Sequence, residues 1–219
     1  MGLIGHCCIS GAAMRFQHIY DWIEAHKPET ILEIGTWNGV NGRLMMKQGA
    51  KKYIGFDLWD EGNEEIDDLE NNAKKRVTME EARAALKDSK DVELIKGNTR
   101  ETLRTYVAGK VPFVDMVLID GGHSKGTIKS DLITVMKIVK SSGVIFLDDY
   151  YFNCPTPNVG AQTVCEGLNI PYTVLPKGDK CRDGSIVKII RIDMKDVPRP
   201  DVWNVPDSSA WQFKPGEAA

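Results

Sequence analysis

The stretch TILEIGTWNGVNG, residues 30–42, decides the fold of this chain. It begins with an apolar run that contains one acid, Glu33, and continues into a loop with Gly35, Gly39 and Gly42, after which a helical stretch follows. Glycine lacks a β-carbon and adopts positive φ easily, so the backbone of such a loop can approach a ligand. The amides of the next helix point at the same place. The stretch predicts a strand, a glycine turn and a helix, with a purely structural turn as the alternative.

The spacing of these glycines differs from that of dinucleotide-binding turns. The dinucleotide fingerprint is Gly-x-Gly-x-x-Gly, and Trp37 stands where its second glycine would be. Because that glycine lets a pyrophosphate approach the backbone, its absence argues against NAD. A bulky residue in the loop suits a ligand that has no pyrophosphate.

Length and composition favour a protein that acts on small molecules. The 219 residues suit one α/β domain, and the net charge of −3 provides no basic field to attract nucleic acid. The five cysteines are scattered without paired spacing, which fits neither a zinc site nor a secreted disulfide scaffold. No apolar run reaches the roughly 18 residues of a membrane span, and the start of the sequence lacks the features of a signal peptide. We therefore expect a cytoplasmic protein without a nucleic-acid or membrane partner.

Apolar runs alternate with helical patterns along the chain, which predicts a parallel sheet. The runs interpreted as parallel strands are Thr30–Ile34, Tyr53–Phe56, Val92–Ile95, Val114–Ile119 and Val144–Leu147. Helical patterns cover residues 12–27, 41–48, 78–86, 127–139 and 160–168. Two further runs, Tyr172–Leu175 and Ser185–Ile190, flank a polar turn and predict an antiparallel hairpin.

The predicted fold class is α/β: a Rossmann-like, doubly wound, mostly parallel seven-stranded sheet with an antiparallel C-terminal hairpin and helices on both faces. One domain is expected over residues 1–195, with a charged helical insertion at about 60–90. A tail that contains prolines and tryptophans occupies residues 196–219.

Polar residues follow the carboxyl ends of the predicted strands and should line one edge of the sheet, where ligands of open parallel sheets bind. Asp57 ends the second strand, 22 residues beyond Gly35, the distance at which Rossmann-like folds present a carboxylate to ribose hydroxyls. Asn98 and Thr99 follow the third strand. Three acids, Asp120, Asp148 and Asp149, follow the fourth and fifth strands.

The three acids at neighbouring strand ends predict a metal site. Crowded carboxylates repel one another unless a cation or a proton offsets their charge, and oxygen ligands favour Mg²⁺ or another hard divalent cation. His123 lies three residues after Asp120, and an imidazole with an ordinary pKa near ~6.5 suits the removal of a proton from a hydroxyl. The alternative is that Asp120 and one of the other two acids only cap helices or turns.

Four segments together resemble the class I S-adenosylmethionine-dependent methyltransferases over about residues 30–190. They are ILEIGTWNG, YIGFDLWD, VDMVLIDGGHSKGTIKSDL and SSGVIFLDDY. The segments IDGGHS and GVIFLDDY look like the subgroup of macrocin-type O-methyltransferases and, more distantly, catechol O-methyltransferase.

The resemblance implies a role for each candidate site residue. Glu33, Gly35, Trp37, Gly39 and Asn41 would surround the methionine part of S-adenosylmethionine, Asp57 would hold the ribose, and Asn98 and Thr99 would flank the adenine. Asp120, Asp148 and Asp149 would bind Mg²⁺, with Asp120 also beside the cofactor, and His123 would be the base.

The function expected from the resemblance is transfer of a methyl group to a hydroxyl of a small molecule, such as a sugar or a natural product. Two alternatives stay open: a non-catalytic nucleotide-binding module of the same fold, and an NAD-dependent oxidoreductase. A homo-oligomer is also left open.

Overall fold

The structure is a computed structural model, and it describes residues 14–59, 77–152, 160–181 and 184–198. Its strands are β1 Thr30–Ile34, β2 Lys52–Asp57, β3 Val92–Lys96, β4 Val114–Ile119, β5 Val139–Phe152, β6 Thr173–Lys180 and β7 Ile186–Asp193. Its helices are α1 Gln17–His26, α2 Val40–Lys47, α3 Met79–Ala85, α4 Thr99–Val107, α5 Lys125–Val135 and α6 Ala161–Gly167. Short 3₁₀ turns lie at Met14–Phe16 and Met194–Asp196.

The strands form one mixed sheet in the order β3-β2-β1-β4-β5-β7-β6. The first five strands of the sequence run parallel, and β7 runs antiparallel to both β5 and β6. The predicted fold class is therefore confirmed. The chain winds outward from β1 in one direction and resumes at β4 on the other side, and ligands of such sheets bind at this reversal point.

Apolar clusters cover both faces of the sheet. On one face, Leu32 packs in a cluster with residues of α4, α5 and α6. On the other face, its neighbour Ile31 packs in a cluster with residues of α1 and α2. Since successive side chains of a strand point to opposite faces, a strand buried on both faces is an apolar run.

The largest differences from the predicted boundaries lie around β5. Helix α5 ends at Val135, and Val139, expected in that helix, already pairs with Val114 of β4. Apolar residues of this segment fit the helical pattern and a buried strand equally well, so periodicity alone misplaced the boundary. The strand also extends beyond the predicted Leu147, because residues 150–152 pair with β7.

Parts of the predicted organisation lie outside the described residues. These are residues 60–76 of the charged insertion and residues 199–219 of the tail. The described part of the insertion includes α3, which begins with a capping box formed by Thr78 and Glu81. The domain boundaries stay a prediction. In the described ranges, no helix has the length and apolar character needed to cross a membrane.

Candidate active site

The glycine turn after β1 is packed against the protein itself. Gly35 has φ 90°, and a β-carbon there would lie 1.9 Å from the carbonyl oxygen of Asp120. Gly39 has φ 72°, and a β-carbon there would lie 2.8 Å from the carbonyl oxygen of Ala82 in α3. Both positions therefore need glycine for backbone conformation and for close approach of the neighbouring chain. The turn brings the carboxyl end of β1 against the loop that follows β4.

Asp57, at the carboxyl end of β2, organises the same turn. One carboxylate oxygen accepts the backbone N–H of Trp37 at 2.6 Å, and the other accepts that of Trp59 at 2.8 Å. The indole N–H of Trp59 donates to the Trp37 carbonyl oxygen at 2.8 Å. Trp37 has φ 47°, an uncommon conformation for a bulky residue, and these contacts hold it there. Each carboxylate oxygen has a second lone pair, so Asp57 retains acceptor capacity for a ligand.

Glu33 is a buried carboxylate inside a hydrogen-bonded chain of polar groups. It accepts the hydroxyl of Tyr53 and the side-chain amide of Asn41, the latter at 3.1 Å. Asn41 in turn accepts the hydroxyl of Tyr20 from α1. Burial and the Glu33 charge raise the pKa of Tyr53 well above its ordinary value. Both tyrosines therefore act as hydrogen-bond donors, and Tyr20 joins α1 to the predicted methionine side of the site.

Asn98 and Thr99 lie at the carboxyl end of β3, as predicted. The Asn98 side chain caps α4 by accepting the backbone N–H of Arg100 at 3.0 Å, and Thr99 is the first residue of that helix. The backbone N–H of Gly97 donates to the Asp57 carbonyl oxygen at 2.9 Å and ties this loop to β2. The predicted contact with adenine stays a prediction.

A β-bulge shapes the carboxyl end of β5. The register between β5 and β7 shifts between Leu147 and Tyr150, so Asp148 and Asp149 occupy an irregular step of the ladder. Asp149 has φ 66°, and a β-carbon on Gly160 would lie 2.5 Å from its carbonyl oxygen. The bulge therefore presents two adjacent, buried carboxylates inside β5, four and three residues before its end, and not after the strand as the sequence predicts.

The Asp149 carboxylate binds His123, which follows β4. One of its oxygens is hydrogen-bonded to Nδ1 of His123, and the other accepts the Tyr151 hydroxyl at 2.8 Å. Burial alone would raise the pKa of Asp149. The opposing effects of His123, Tyr151 and the charge of Arg15 are larger and lower this pKa to about 2. Asp149 is therefore ionised at neutral pH and fixes the orientation of the imidazole.

Asp148 forms a two-point ion pair with Arg15. Nε and Nη2 of Arg15 donate to its two oxygens at 2.8 and 2.7 Å, and Nη1 donates to Asp179 of β6 at 2.7 Å. The side chain of Asp148 is 1% exposed and that of Arg15 is 12% exposed. Burial alone would lower the pKa of Arg15, but Asp148, Asp120 and Asp179 together raise it above its ordinary value. This guanidinium is permanently charged.

The three predicted metal ligands, Asp120, Asp148 and Asp149, are called the rim carboxylates below. Among the described residues, no three His, Cys, Asp or Glu side chains are grouped so as to hold a metal ion. Both oxygens of Asp148 bind Arg15, and both oxygens of Asp149 bind His123 or Tyr151. In this arrangement the donor set does not fit a divalent cation, and the predicted Mg²⁺ site is not supported.

The structure places the predicted site residues along one edge of the sheet. Glu33, Asp57 and Asn98 lie in or after β1, β2 and β3, and this part of the edge is called the β1–β2–β3 side of the site. His123 and Asp149 lie on the other part of the edge, the β4–β5 side. Sequence reasoning missed Arg15, Tyr20, Tyr151 and Asp179. Tyr151 stands two residues after an acid predicted for the site, which is a usable signal. Arg15 and Asp179 carry no local signal, because only long-range folding brings Arg15 to Asp148 and to Asp179.

Comparison with known proteins is consistent with this geometry. The sequence matches the family described as "Methyltransferase domain" over residues 32–150. No curated protein sequence matches significantly.

Solved structures share the fold at low sequence identity. The O-methyltransferase TomG from Streptomyces achromogenes, involved in tomaymycin synthesis and solved with SAM, has a TM-score of 0.56 and 17% identity over 81% of this chain and 78% of TomG. An O-methyltransferase from Bacillus cereus in complex with SAH has a TM-score of 0.56 and 16% identity over 81% of this chain and 79% of its own. A putative rRNA methylase from Clostridium thermocellum has a TM-score of 0.57 and 15% identity over 84% of this chain and 99% of its own.

These neighbours include enzymes named for different acceptors, so their likeness shows the fold alone. The family match, in contrast, spans more than half of the sequence and contains the glycine turn, Asp57, His123 and the rim carboxylates. The chain therefore belongs to the methyltransferase-domain family.

Proposed function

We propose that this chain transfers the methyl group of S-adenosylmethionine (SAM) to a hydroxyl of a small molecule. The observation that carries the proposal is the pair formed by His123 and the ionised Asp149, on the same sheet edge as the glycine turn and Asp57. A positioned base beside a nucleotide-binding edge is the arrangement that proton removal from an acceptor requires.

The β1–β2–β3 side of the site has the groups that would hold SAM. Asp57 has acceptor capacity for the two ribose hydroxyls, and it also holds the glycine turn through the backbone N–H of Trp37. Glu33, Trp37, Asn41 and Asp120 would lie toward the methionine part, with Asn98 and Thr99 toward the adenine. SAM supplies a methyl group bonded to a positively charged sulfur, which an acceptor oxygen attacks directly.

His123 is proposed as the general base. With Nδ1 bound to the Asp149 carboxylate, the acceptor hydroxyl would give its proton to Nε2. The oxygen lone pair then forms the new bond to the methyl carbon, while the electron pair of the broken carbon–sulfur bond goes to sulfur. Asp149 stabilises the imidazolium that results, as a carboxylate partner does for other histidine bases.

Mg²⁺ at the rim carboxylates stays a prediction that the arrangement of Asp148 and Asp149 does not favour. No step of the proposed reaction is assigned to a metal ion. A small molecule is the proposed acceptor, because a net charge of −3 does not favour attraction to the phosphate backbone of RNA.

Isothermal titration with S-adenosylhomocysteine (SAH) tests the cofactor half of the proposal. The wild type should bind SAH, and Asp57→Ala should weaken this binding at least about tenfold. That factor corresponds to the loss of one or more hydrogen bonds to a charged group. Asp88→Ala is the matched control, because Asp88 is an exposed aspartate in the turn after α3. Absence of SAH binding by the wild type, together with bound NADH, would favour the oxidoreductase alternative.

Activity on a panel of hydroxylated acceptors tests the catalytic half. His123→Ala should lower kcat by about 100-fold or more while SAH binding is kept, since a general base contributes that much. His26→Ala, which changes an exposed histidine of α1, should leave kcat unchanged. SAH binding without transfer to any acceptor would favour the non-catalytic module.

A further inference from the structure

Arg15 makes contact with the most buried of the rim carboxylates through two parallel hydrogen bonds. This fork-to-fork geometry with Asp148 is the strongest form of an arginine–carboxylate pair. The third nitrogen of the guanidinium binds Asp179, and the backbone N–H of Met14 donates to the other oxygen of Asp179 at 2.8 Å. The 3₁₀ turn Met14–Phe16 is thus fastened to β6 while its arginine reaches into the site.

The charge of Arg15 acts on all three rim carboxylates. It contacts Asp148 directly, and Asp120 is among the charges that raise the pKa of Arg15. Arg15 is also among the charges that lower the pKa of Asp149. Crowded carboxylates need a cation to offset their repulsion, and here the cation is part of the chain.

A divalent cation could bind Asp148 only by displacing this guanidinium. Displacement would break both hydrogen bonds between the largely buried Arg15 and Asp148, which is unfavourable. The same cation would also compete with the hydrogen bonds that hold Asp149 between His123 and Tyr151.

We infer that the guanidinium of Arg15 takes the cation position among the rim carboxylates, so that methyl transfer by this chain proceeds without a divalent metal ion. The metal-independent methyl transfer rests on the proposed function. The position of the cation rests on the Arg15 geometry alone. A fixed positive charge among the rim carboxylates also favours a deprotonated acceptor bound there, the role that a metal ion has in metal-dependent sites.

Mn²⁺ titration followed by electron paramagnetic resonance tests the cation position without any need for activity. The wild type should show no saturable Mn²⁺ binding up to about 1 mM Mn²⁺, a concentration near the dissociation constants of weak cation sites in proteins. Arg15→Met removes the charge and keeps an unbranched side chain, so it should bind Mn²⁺ at least tenfold more tightly. Adding Asp148→Asn to that variant should abolish the gain. Arg15→Lys keeps the charge and Arg104→Met changes an exposed arginine of α4, so both should behave as the wild type.

Two results would overturn the inference. One is saturable Mn²⁺ binding by the wild type that Asp148→Asn removes. The other is an Arg15→Met variant with a native circular dichroism spectrum that binds Mn²⁺ no better than the wild type. Where Arg15→Met does not fold, the wild-type titration can still overturn the inference, through saturable binding that Asp148→Asn removes.

A chelator separates this inference from the proposed function. Wild-type methyl transfer should be unchanged in EDTA, whereas activity that is lost in EDTA and restored by Mg²⁺ would refute the metal-independent reaction. Absence of SAH binding would instead refute the proposed function, and the Mn²⁺ titration would still report on Arg15.

Discussion

The carbonyl oxygen of Asp120 occupies the space where a β-carbon on Gly35 would lie, with only 1.9 Å between the two positions. This contact joins the turn after β1 to the loop after β4, the two segments that border the reversal point of the sheet. Both backbones are fixed here, because the N–H of Asp120 donates to the carbonyl oxygen of Ile34 at 2.8 Å. The glycine is required by the protein's own packing before any ligand is considered.

Gly35→Ala should therefore lower the free energy of unfolding by about 3 kcal/mol or more, from positive φ and overpacking together. Gly109→Ala is the matched control, because Gly109 has φ 70° but nothing lies within 4 Å of a β-carbon there. The control should lose only about 1 kcal/mol, the cost of the left-handed conformation. Urea unfolding of both variants measures the difference, and equal losses would contradict the packing explanation.

The Asp149 carboxylate should make stability depend on pH. Its pKa is lowered to about 2 in the folded protein, against about 3.9 for an unfolded aspartate. The folded state therefore favours the ionised form, and its contribution, on the order of 2 to 3 kcal/mol, is complete above the unfolded pKa. This contribution is lost as the pH falls through the range from about 5 to 2.

The measurement is the difference in unfolding free energy between the wild type and Asp149→Asn at a series of pH values. The difference should shrink as the pH falls from 5 to 2. Asp88→Asn, which changes an exposed aspartate, should give a flat difference over the same range. A flat difference for Asp149→Asn as well would mean that the carboxylate is not preferentially ionised in the folded state.

Asn98 should have two separable roles, as the cap of α4 and as a proposed neighbour of the adenine. Asn98→Ala should lower the unfolding free energy by about 1 kcal/mol, because the backbone N–H of Arg100 loses its acceptor. Asn98→Ser keeps a capping oxygen and should restore most of that stability. Thermal unfolding measures the cap, and SAH titration of the serine variant measures the contact with the ligand. SAH affinity that recovers fully in Asn98→Ser would assign Asn98 to the helix cap alone.

Local patterns in the sequence were sufficient to predict the sheet. The bounds of β1 and β4 agree with those predicted, because Thr30–Ile34 and Val114–Ile119 are apolar runs that end abruptly in polar or glycine residues. The rule that ligands bind at the carboxyl ends of such strands then predicted the edge along which the candidate site residues lie. These inferences needed no long-range information.

The hydrogen-bonding state of the site could not be predicted in the same way. The sequence predicts that Asp148 binds a metal ion, but its partner Arg15 lies 133 positions away, in a segment predicted only to be helical. The left-handed φ of Asp149 also has no sequence signature, since glycine is the usual residue in that conformation. The sequence thus predicts which polar residues lie near the strand ends. It does not predict which charged partners they bind, because those partners come together only in the folded chain.

Trp59 should control how well the glycine turn is ordered for SAM. Its indole N–H fixes the carbonyl oxygen of Trp37, whose φ of 47° is uncommon for so large a residue. Trp59→Phe keeps a buried ring and removes this hydrogen bond. The turn must then become ordered when SAH binds, and this ordering lowers the affinity. We expect SAH affinity to fall about fivefold, equivalent to the ~1 kcal/mol of one hydrogen bond.

Trp22→Phe is the control for loss of ring size, because Trp22 lies on α1 and packs on His26 and Phe146. It should lower thermal stability while SAH affinity, measured by isothermal titration, stays at the wild-type value. If both variants weaken SAH binding equally, ring volume rather than the hydrogen bond to Trp37 governs the effect. If Trp59→Phe leaves the affinity unchanged, Asp57 alone is sufficient to hold the turn, since its two oxygens still accept the N–H groups of Trp37 and residue 59.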